Sequence, residues 1–245
     1  VENFSAKKIQ NLSILLVDDE PFIQSAIKQA LLNFGFGHIY TAENGEKALD
    51  LFNKTDIDIL LTDIQMPVMN GLELLKAVRS GYGHVKPTLP VIVFTCMSDI
   101  ETLGRAIAMD VNGFLTKPIA PETFCASILT ALSEEEVELR NKSNYLEIAT
   151  DSDGLGPVND QSESIAAEPI ESHSDQPASV HALRPGMRLA ADVLGSNGDL
   201  LLRAGITLNQ RMISRLIELD RVMSIDDYYV EPHENPIGRS VNKPV

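Results

Sequence analysis

Between residues 13 and 133 the chain repeats one unit five times: a short, nearly unbroken apolar run, then a stretch with helical periodicity. The runs are SILLV (13–17), HIYTA (38–42), IDILLT (57–62), PVIVFT (90–95) and NGFLT (112–116). The first, third and fourth are almost wholly apolar, as parallel strands covered on both faces are. The helical stretches carry their own punctuation. Pro21 opens a helix that runs to Asn33 and stops before Gly35. Asn44, Asn70 and Ser98 stand as N-caps for 45–53, 71–79 and 99–109, and Pro121 opens 122–132. Parallel neighbours need a crossover between them, and that crossover is right-handed. The alternation therefore predicts an α/β fold with a five-stranded, doubly wound parallel sheet.

In such a sheet every strand delivers its carboxyl end to one rim, where ligands bind. Asp18 and Asp19 follow the first run, Asp63 the third, Thr95 ends the fourth and Lys117 follows the fifth. Adjacent carboxylates repel and raise each other's pKa unless a positive group offsets them. A helix cap is one reason to place Asp there, and a metal is the other. A single strand-end Asp is more often a cap, but three acids, a hydroxyl and an ammonium on one rim are hard to assemble by accident. Oxygen ligands suit Mg2+, which takes one or two carboxylates and keeps several waters. An Asp beside such a cation is a usable nucleophile for phosphoryl transfer, and a Lys ammonium and a hydroxyl would hold phosphoryl oxygens.

Composition narrows the partners. The net charge is −15 over 245 residues, and it is uneven. Residues 1–132 hold 10 Lys/Arg against 15 Asp/Glu, residues 133–175 hold 2 against 12, and residues 176–245 hold 8 against 8. No segment has the basic balance that binding a phosphate backbone requires, so nucleic acid is an unlikely partner. No apolar run approaches the roughly 20 residues of a membrane span, no secretory signal opens the chain, and a cytoplasmic protein is expected. Cys96 and Cys125 form no CxxC pair and read as reduced thiols. The five histidines show no metal-ligand spacing.

Taken together, VDDEP, TDIQMPVMNGLELL, VIVFT and FLTKP resemble the receiver domain of two-component response regulators, over residues 11–133. The resemblance implies a flavodoxin-like receiver fold. It makes Asp63 the acceptor of a phosphoryl group from a histidine kinase or phosphotransfer protein. It assigns Asp18, Asp19, Asp63 and the Gln65 backbone carbonyl to Mg2+, and Lys117 to the phosphoryl group. Thr95 and Phe114 match the switch pair, and Pro118 a peptide bond that is commonly cis. Cys96 replaces a customary Ala, and Met97 and Gln65 flank the phosphate. The face formed by the fourth helix, fifth strand and fifth helix is then expected to pair two receivers on phosphorylation.

The remainder is less regular. Residues 134–179 read as a linker, partly helical at first, with Leu129, Leu132, Val137 and Leu139 as a ragged stripe, and then acidic, Ser-rich and disordered. A flexible chain of about 29 residues spans roughly 30 Å, too soft to transmit torque, so a tail beyond it would respond through proximity. Residues 180–235 read as a small α+β module. Asn197-Gly198 signals a β-hairpin, TLNQRMISRLIEL an amphipathic helix with Met212, Ile213, Leu216 and Leu219 inward, and RVMSI a last strand. A module this small is marginal alone and gains by packing on something else. Its pattern resembles the segment that accompanies HD-GYP-type cyclic-dinucleotide phosphodiesterase response regulators, but no His-Asp dyad or GYP triplet is present. The expectation is a non-catalytic interaction module, plausible in cyclic-di-GMP-related signalling, rather than an enzyme. The alternative is a transcriptional regulator with a DNA-binding tail, against which stand its neutral charge and single long helix.

Overall fold

The computed structural model describes residues 9–95, 100–118, 120–134, 139, 141–150, 178–195, 198–221, 225 and 228–231. Five parallel strands, β1 (Ser13–Val17), β2 (His38–Ala42), β3 (Ile59–Asp63), β4 (Val91–Thr95) and β5 (Gly113–Thr116), lie in the order β2-β1-β3-β4-β5. Five helices alternate with them: α1 (Pro21–Asn33), α2 (Gly45–Phe52), α3 (Gly71–Arg79), α4 (Ile100–Ala108) and α5 (Pro121–Ser133). The doubly wound sheet expected from the sequence is present. Strand alternation sorts the core. Leu15 and Val17 point with Leu60 and Val93 toward α2 and α3, whereas Ile14 and Leu16 point with Leu61 and Phe94 toward α1 and α5.

Local signals explain the boundaries. The Asn44 side chain accepts from Lys47 N–H, and Asn70 forms a reciprocal capping box with Glu73. Pro21 and Pro121 occupy the first helical positions. β3 starts two residues later than the 57–62 reading and ends one residue later, taking in Asp63 itself. The caps expected of Ser98, and the neighbours Cys96 and Met97, lie outside the described residues. Cys125 is a buried free thiol whose pKa burial pushes up to about 11.

The C-terminal residues depart further from expectation. The last helix of the doubly wound unit ends at Ser133 (α5), and a separate short helix, α6 (Lys142–Leu146), follows. Its Tyr145 is fully buried in the core of that unit, and Lys76 Nζ donates to the Ile148 carbonyl at 2.8 Å. Residues 141–150 are thus packed against the doubly wound unit, and the acidic run 151–177 lies outside the described residues. The tail then forms a 3-10 turn (Val180–Ala182), strands β6 (Val193–Leu194) and β7 (Leu200–Leu202), and helix α7 (Gln210–Asp220). β6 and β7 pair antiparallel as a hairpin. Gly195 N–H donates to Asp199 C=O and Gly198 N–H to Gly195 C=O, and Gly198 takes φ +83°, the positive φ that the Asn197-Gly198 signal asks of its glycine. Asn197 lies outside the described residues. Of the RVMSI strand, residues 222–224 lie outside the described residues, and Ile225 bridges Gly195.

Met212, Ile213, Leu216 and Leu219 face inward on α7, as the spacing indicated. What they face includes α4 of the doubly wound unit. Ile100, Leu103 and Ile107 of α4 share one buried cluster with Leu189, Leu201 and Leu216 of the tail. The module that is marginal by size gains its core from α4.

Candidate phosphoacceptor site

The rim residues arrive from the ends of four strands, β1, β3, β4 and β5. β1 and β3 are register neighbours, Val17 opposite Thr62, so the residues that follow Val17 meet the end of β3. One carboxylate oxygen each from Asp18, Asp19 and Asp63 lies within 4.8 Å of the others. Asp18 is fully buried, Asp63 nearly so, and Asp19 is exposed. The Asp18 carboxylate accepts from Glu20 N–H at 2.9 Å, and Asp63 Oδ1 accepts from Ile64 N–H at 2.8 Å. Gln24 Nε2 donates to the carbonyls of Asp18 and Ala42, which pins the turn carrying the acidic pair.

Lys117, at the end of β5, supplies the positive group. Its Nζ lies 3.0 Å from Asp18 Oδ2 and 3.1 Å from Asp63 Oδ2. Burial works against the Lys117 charge, but the hydrogen bond to Asp18 and the charge of Asp63 outweigh it, and its pKa is raised. Burial pushes the Asp63 carboxyl above the usual range, with Asp18 adding repulsion and Lys117 opposing both. The Lys117-Pro118 peptide is cis, as the resemblance implied. Charge repulsion between the strand-end acids is thus relieved by Lys117 within the protein, and the helix-cap alternative for Asp18 is met only by its bond to Glu20 N–H.

The other sequence candidates fall as follows. Thr95 ends β4; its side chain lies outside the described residues. Gln65 is exposed in the loop after Asp63. In that loop Val68 takes φ +73° and is 71% exposed, an uncommon conformation for a β-branched residue. Phe114 sits in β5, half-buried, against both the receiver core and the tail cluster.

The donor set is all oxygen, with two buried acids and one exposed acid, and this fits a hard divalent cation with open positions for water. An acidic pocket around one carboxylate, with an ammonium across from it, stands on the carboxyl rim of the doubly wound sheet and is compatible with a divalent cation. Residues 14–129 match the family model for the response regulator receiver domain. The chemotaxis protein CheY-3 of Vibrio cholerae is 34% identical over 114 residues, which are 46% of this chain and 86% of that protein. The CheY homologue of Campylobacter jejuni is 35% identical over 112 residues, covering 45% and 85%. The DNA-binding transcriptional regulator NtrC of Proteus hauseri is 31% identical over 152 residues, 61% of this chain but 31% of NtrC. Among solved structures, that of the chemotaxis response regulator CheY4 of Vibrio cholerae aligns with a TM-score of 0.45 at 30% identity, over 49% of this chain and 98% of that one. The chain belongs to the response regulator receiver family of two-component signalling.

A second constellation escaped the sequence reading altogether. Arg79 is fully buried and donates to the carbonyls of Pro87, Leu89, Met109 and Asp110 and to Asn112 Oδ1. Burial lowers its pKa to about 10. Asp110, at φ +54°, accepts from Tyr145 Oη at 2.5 Å and from Asn209 Nδ2 at 2.6 Å. Glu134 pairs with Arg211 at 3.2 Å and Arg215 at 2.8 Å. Arg211 and Arg215, both on α7, are buried against the receiver. No periodicity could reveal this, because the partners lie far apart in the chain. The one available signal was Asp110-Val-Asn112, polar residues placed directly before a core strand.

Proposed function

We propose that this chain is a response regulator in which Asp63 accepts a phosphoryl group from a histidine kinase or phosphotransfer protein and controls the C-terminal module. The observation that carries this reading is Lys117 Nζ held within 3.1 Å of both Asp18 and Asp63. An Asp63 oxygen forms the new O–P bond as the P–N bond of a phosphohistidine breaks, and the imidazole leaves with the electron pair and takes a proton. Asp18, Asp19, Asp63 and the Gln65 carbonyl would hold Mg2+, which when bound offsets charge on the phosphoryl oxygens. Lys117 offers a point charge to those oxygens, and the Thr95 hydroxyl is the proposed donor to another. Asp18 keeps Lys117 extended across the site.

The module of residues 180–235 is then a non-catalytic output, in cyclic-di-GMP-related signalling by its resemblance. The NtrC match favours a DNA-binding output instead. Against that, Arg211 and Arg215 are occupied by Glu134 and buried, so they are not available to phosphates. Pairing of two receivers through α4, β5 and α5 stays part of the reading, but the α4 part of that face lies under the tail, so pairing requires the tail to leave.

Intact-mass spectrometry after incubation with acetyl phosphate tests the site. One phosphoryl adduct per chain is expected with Mg2+, and loss of most of it with excess chelator. Mg2+ alone should raise the melting temperature, because a ligand of the folded state at 100 times its Kd stabilises by about 2.7 kcal/mol. Labelling indifferent to chelator, with no thermal shift, would count against the assignment.

A further inference from the structure

The three carboxylates of the acidic pocket are not held alike. Asp18 is fixed at both oxygens, by Glu20 N–H at 2.9 Å and by Lys117 Nζ at 3.0 Å. Asp63 is fixed at both as well, by Ile64 N–H at 2.8 Å and by Lys117 Nζ at 3.1 Å. Asp19 is exposed, and among the described residues no hydrogen bond or ion pair holds its carboxylate. Yet one of its oxygens lies within 4.8 Å of an oxygen from each of the other two. The direction of a side chain that nothing grips is set by the backbone on which it stands.

That backbone is the peptide plane between Asp18 and Asp19. Its carbonyl belongs to Asp18, which is fully buried, and a buried carbonyl needs a donor. Asp18 N–H makes the last rung to β2, on the Ala42 carbonyl at 3.1 Å, and β2 ends at that residue. Among the described residues the ladder brings no further amide to the Asp18 carbonyl. Gln24, at the first turn of α1, supplies the donor instead. Its Nε2 donates to the Asp18 carbonyl at 2.5 Å and to the Ala42 carbonyl at 2.8 Å. A side-chain amide carries two donors, and both are engaged here, tying α1 to the ends of β1 and β2. We propose that Gln24 is a positioning residue for the divalent cation: by holding the Asp18–Asp19 peptide plane it aims the Asp19 carboxylate into the pocket. This rests on Asp18, Asp19 and Asp63 as the Mg2+ site and adds a residue that does not touch the metal. Turning the plane changes φ of Asp19 and swings its carboxylate, while Asp18 and Asp63 stay held by Lys117 and by backbone amides. Groups that orient a metal ligand from behind weigh roughly 10–100-fold in affinity. Asp19 is one donor of several, so the lower end is expected.

The test uses the full chain with Mg2+ alone as the probe. Gln24→Met keeps the length and neutrality of the side chain and removes both donors. Titration followed by amide chemical shifts should give a Mg2+ Kd about tenfold weaker than wild type. On an Asp19→Ala background the aimed carboxylate is absent, and the same substitution should change the Kd by about twofold or less, since residues that act through one another are not additive. Without metal, hydrogen exchange at the Asp18 amide, the rung beside the clamp, should quicken in Gln24→Met while the amides of β3 keep wild-type rates. An unchanged Kd in Gln24→Met would overturn the proposal. So would an equal loss on both backgrounds, which would make Gln24 a general support of the fold. A wild-type chain whose shifts do not respond to Mg2+ fails instead at the Mg2+ site itself, a separate result read before any substitution is made.

Discussion

Asp63→Asn is expected to take up no phosphoryl group from acetyl phosphate, where the wild-type chain gains one adduct that hydroxylamine removes. The substitution keeps the shape of the side chain and its acceptor for Ile64 N–H, now 2.8 Å away, so the fold at the end of β3 has no cause to change. What it removes is the anionic oxygen that must form the O–P bond, and an amide has no comparable nucleophile. Stability should hold or rise. Burial already disfavours the Asp63 charge and Asp18 repels it, so a neutral isostere relieves both while giving up one partner of Lys117. Lys117→Ala separates the roles differently: it should leave Asp63 chemically competent but strip the charge that faces the phosphoryl oxygens, lowering the labelling rate and destabilising the buried Asp18. A labelled Asp63→Asn chain would move the acceptor to Asp18 or Asp19.

How much of this was legible in the sequence divides at about Ser133. Strand-end residues Asp18, Asp63 and Lys117 could be placed on one rim because the apolar runs set the strands, and parallel topology sends all carboxyl ends the same way. The caps Asn44 and Asn70 were legible for a local reason, since a cap bonds within its own first turn. The tail obeyed the same local rules, as Met212 and Leu216 show, but its partner did not announce itself. Tyr145 sits in an acidic, irregular stretch and reads as linker, yet it is buried because Asp110 takes its hydroxyl. Arg211 and Arg215 sit at helical spacing on what looks like a polar shoulder, and only the position of Glu134 in space makes them core. Gly104 was the clue with a local signature, a helix-interior glycine whose explanation lay nearly a hundred residues downstream in Leu201.

The largest effect on stability should come from Glu134→Ala. Among the described residues Glu134 alone pairs with both Arg211 and Arg215, at 3.2 and 2.8 Å, and it also accepts from Asn112 Nδ2 at 3.0 Å. Its loss takes the shared carboxylate from two guanidinium groups whose side chains are only 5% and 7% exposed, leaving Arg211 the Asp110 carbonyl and Arg215 the Asn112 carbonyl and Glu218. Breaking a buried pair by removing one partner costs about 3–5 kcal/mol; the lower end applies because Glu134 is itself partly exposed. Glu218, 3.1 Å from Arg215, is a poor substitute, since burial already raises its pKa and works against its charge. A loss of about 3 kcal/mol in a chain of this size corresponds to a fall in melting temperature of roughly 6–12 °C. The cost should fall on the contact between tail and receiver, because Glu134 follows α5 and both arginines stand on α7. Hydrogen exchange should therefore quicken at residues 200–220 while β1 and β3 stay protected. Replacing all three groups by apolar residues of similar size (Glu134→Leu, Arg211→Met, Arg215→Met) should recover most of the loss, since no buried charge is then left unpaired. A Glu134→Ala chain that melts within a degree or two of wild type, with unchanged exchange at 200–220, would mean the arginines find water or other partners, and that the apolar cluster on α4 holds the tail without them.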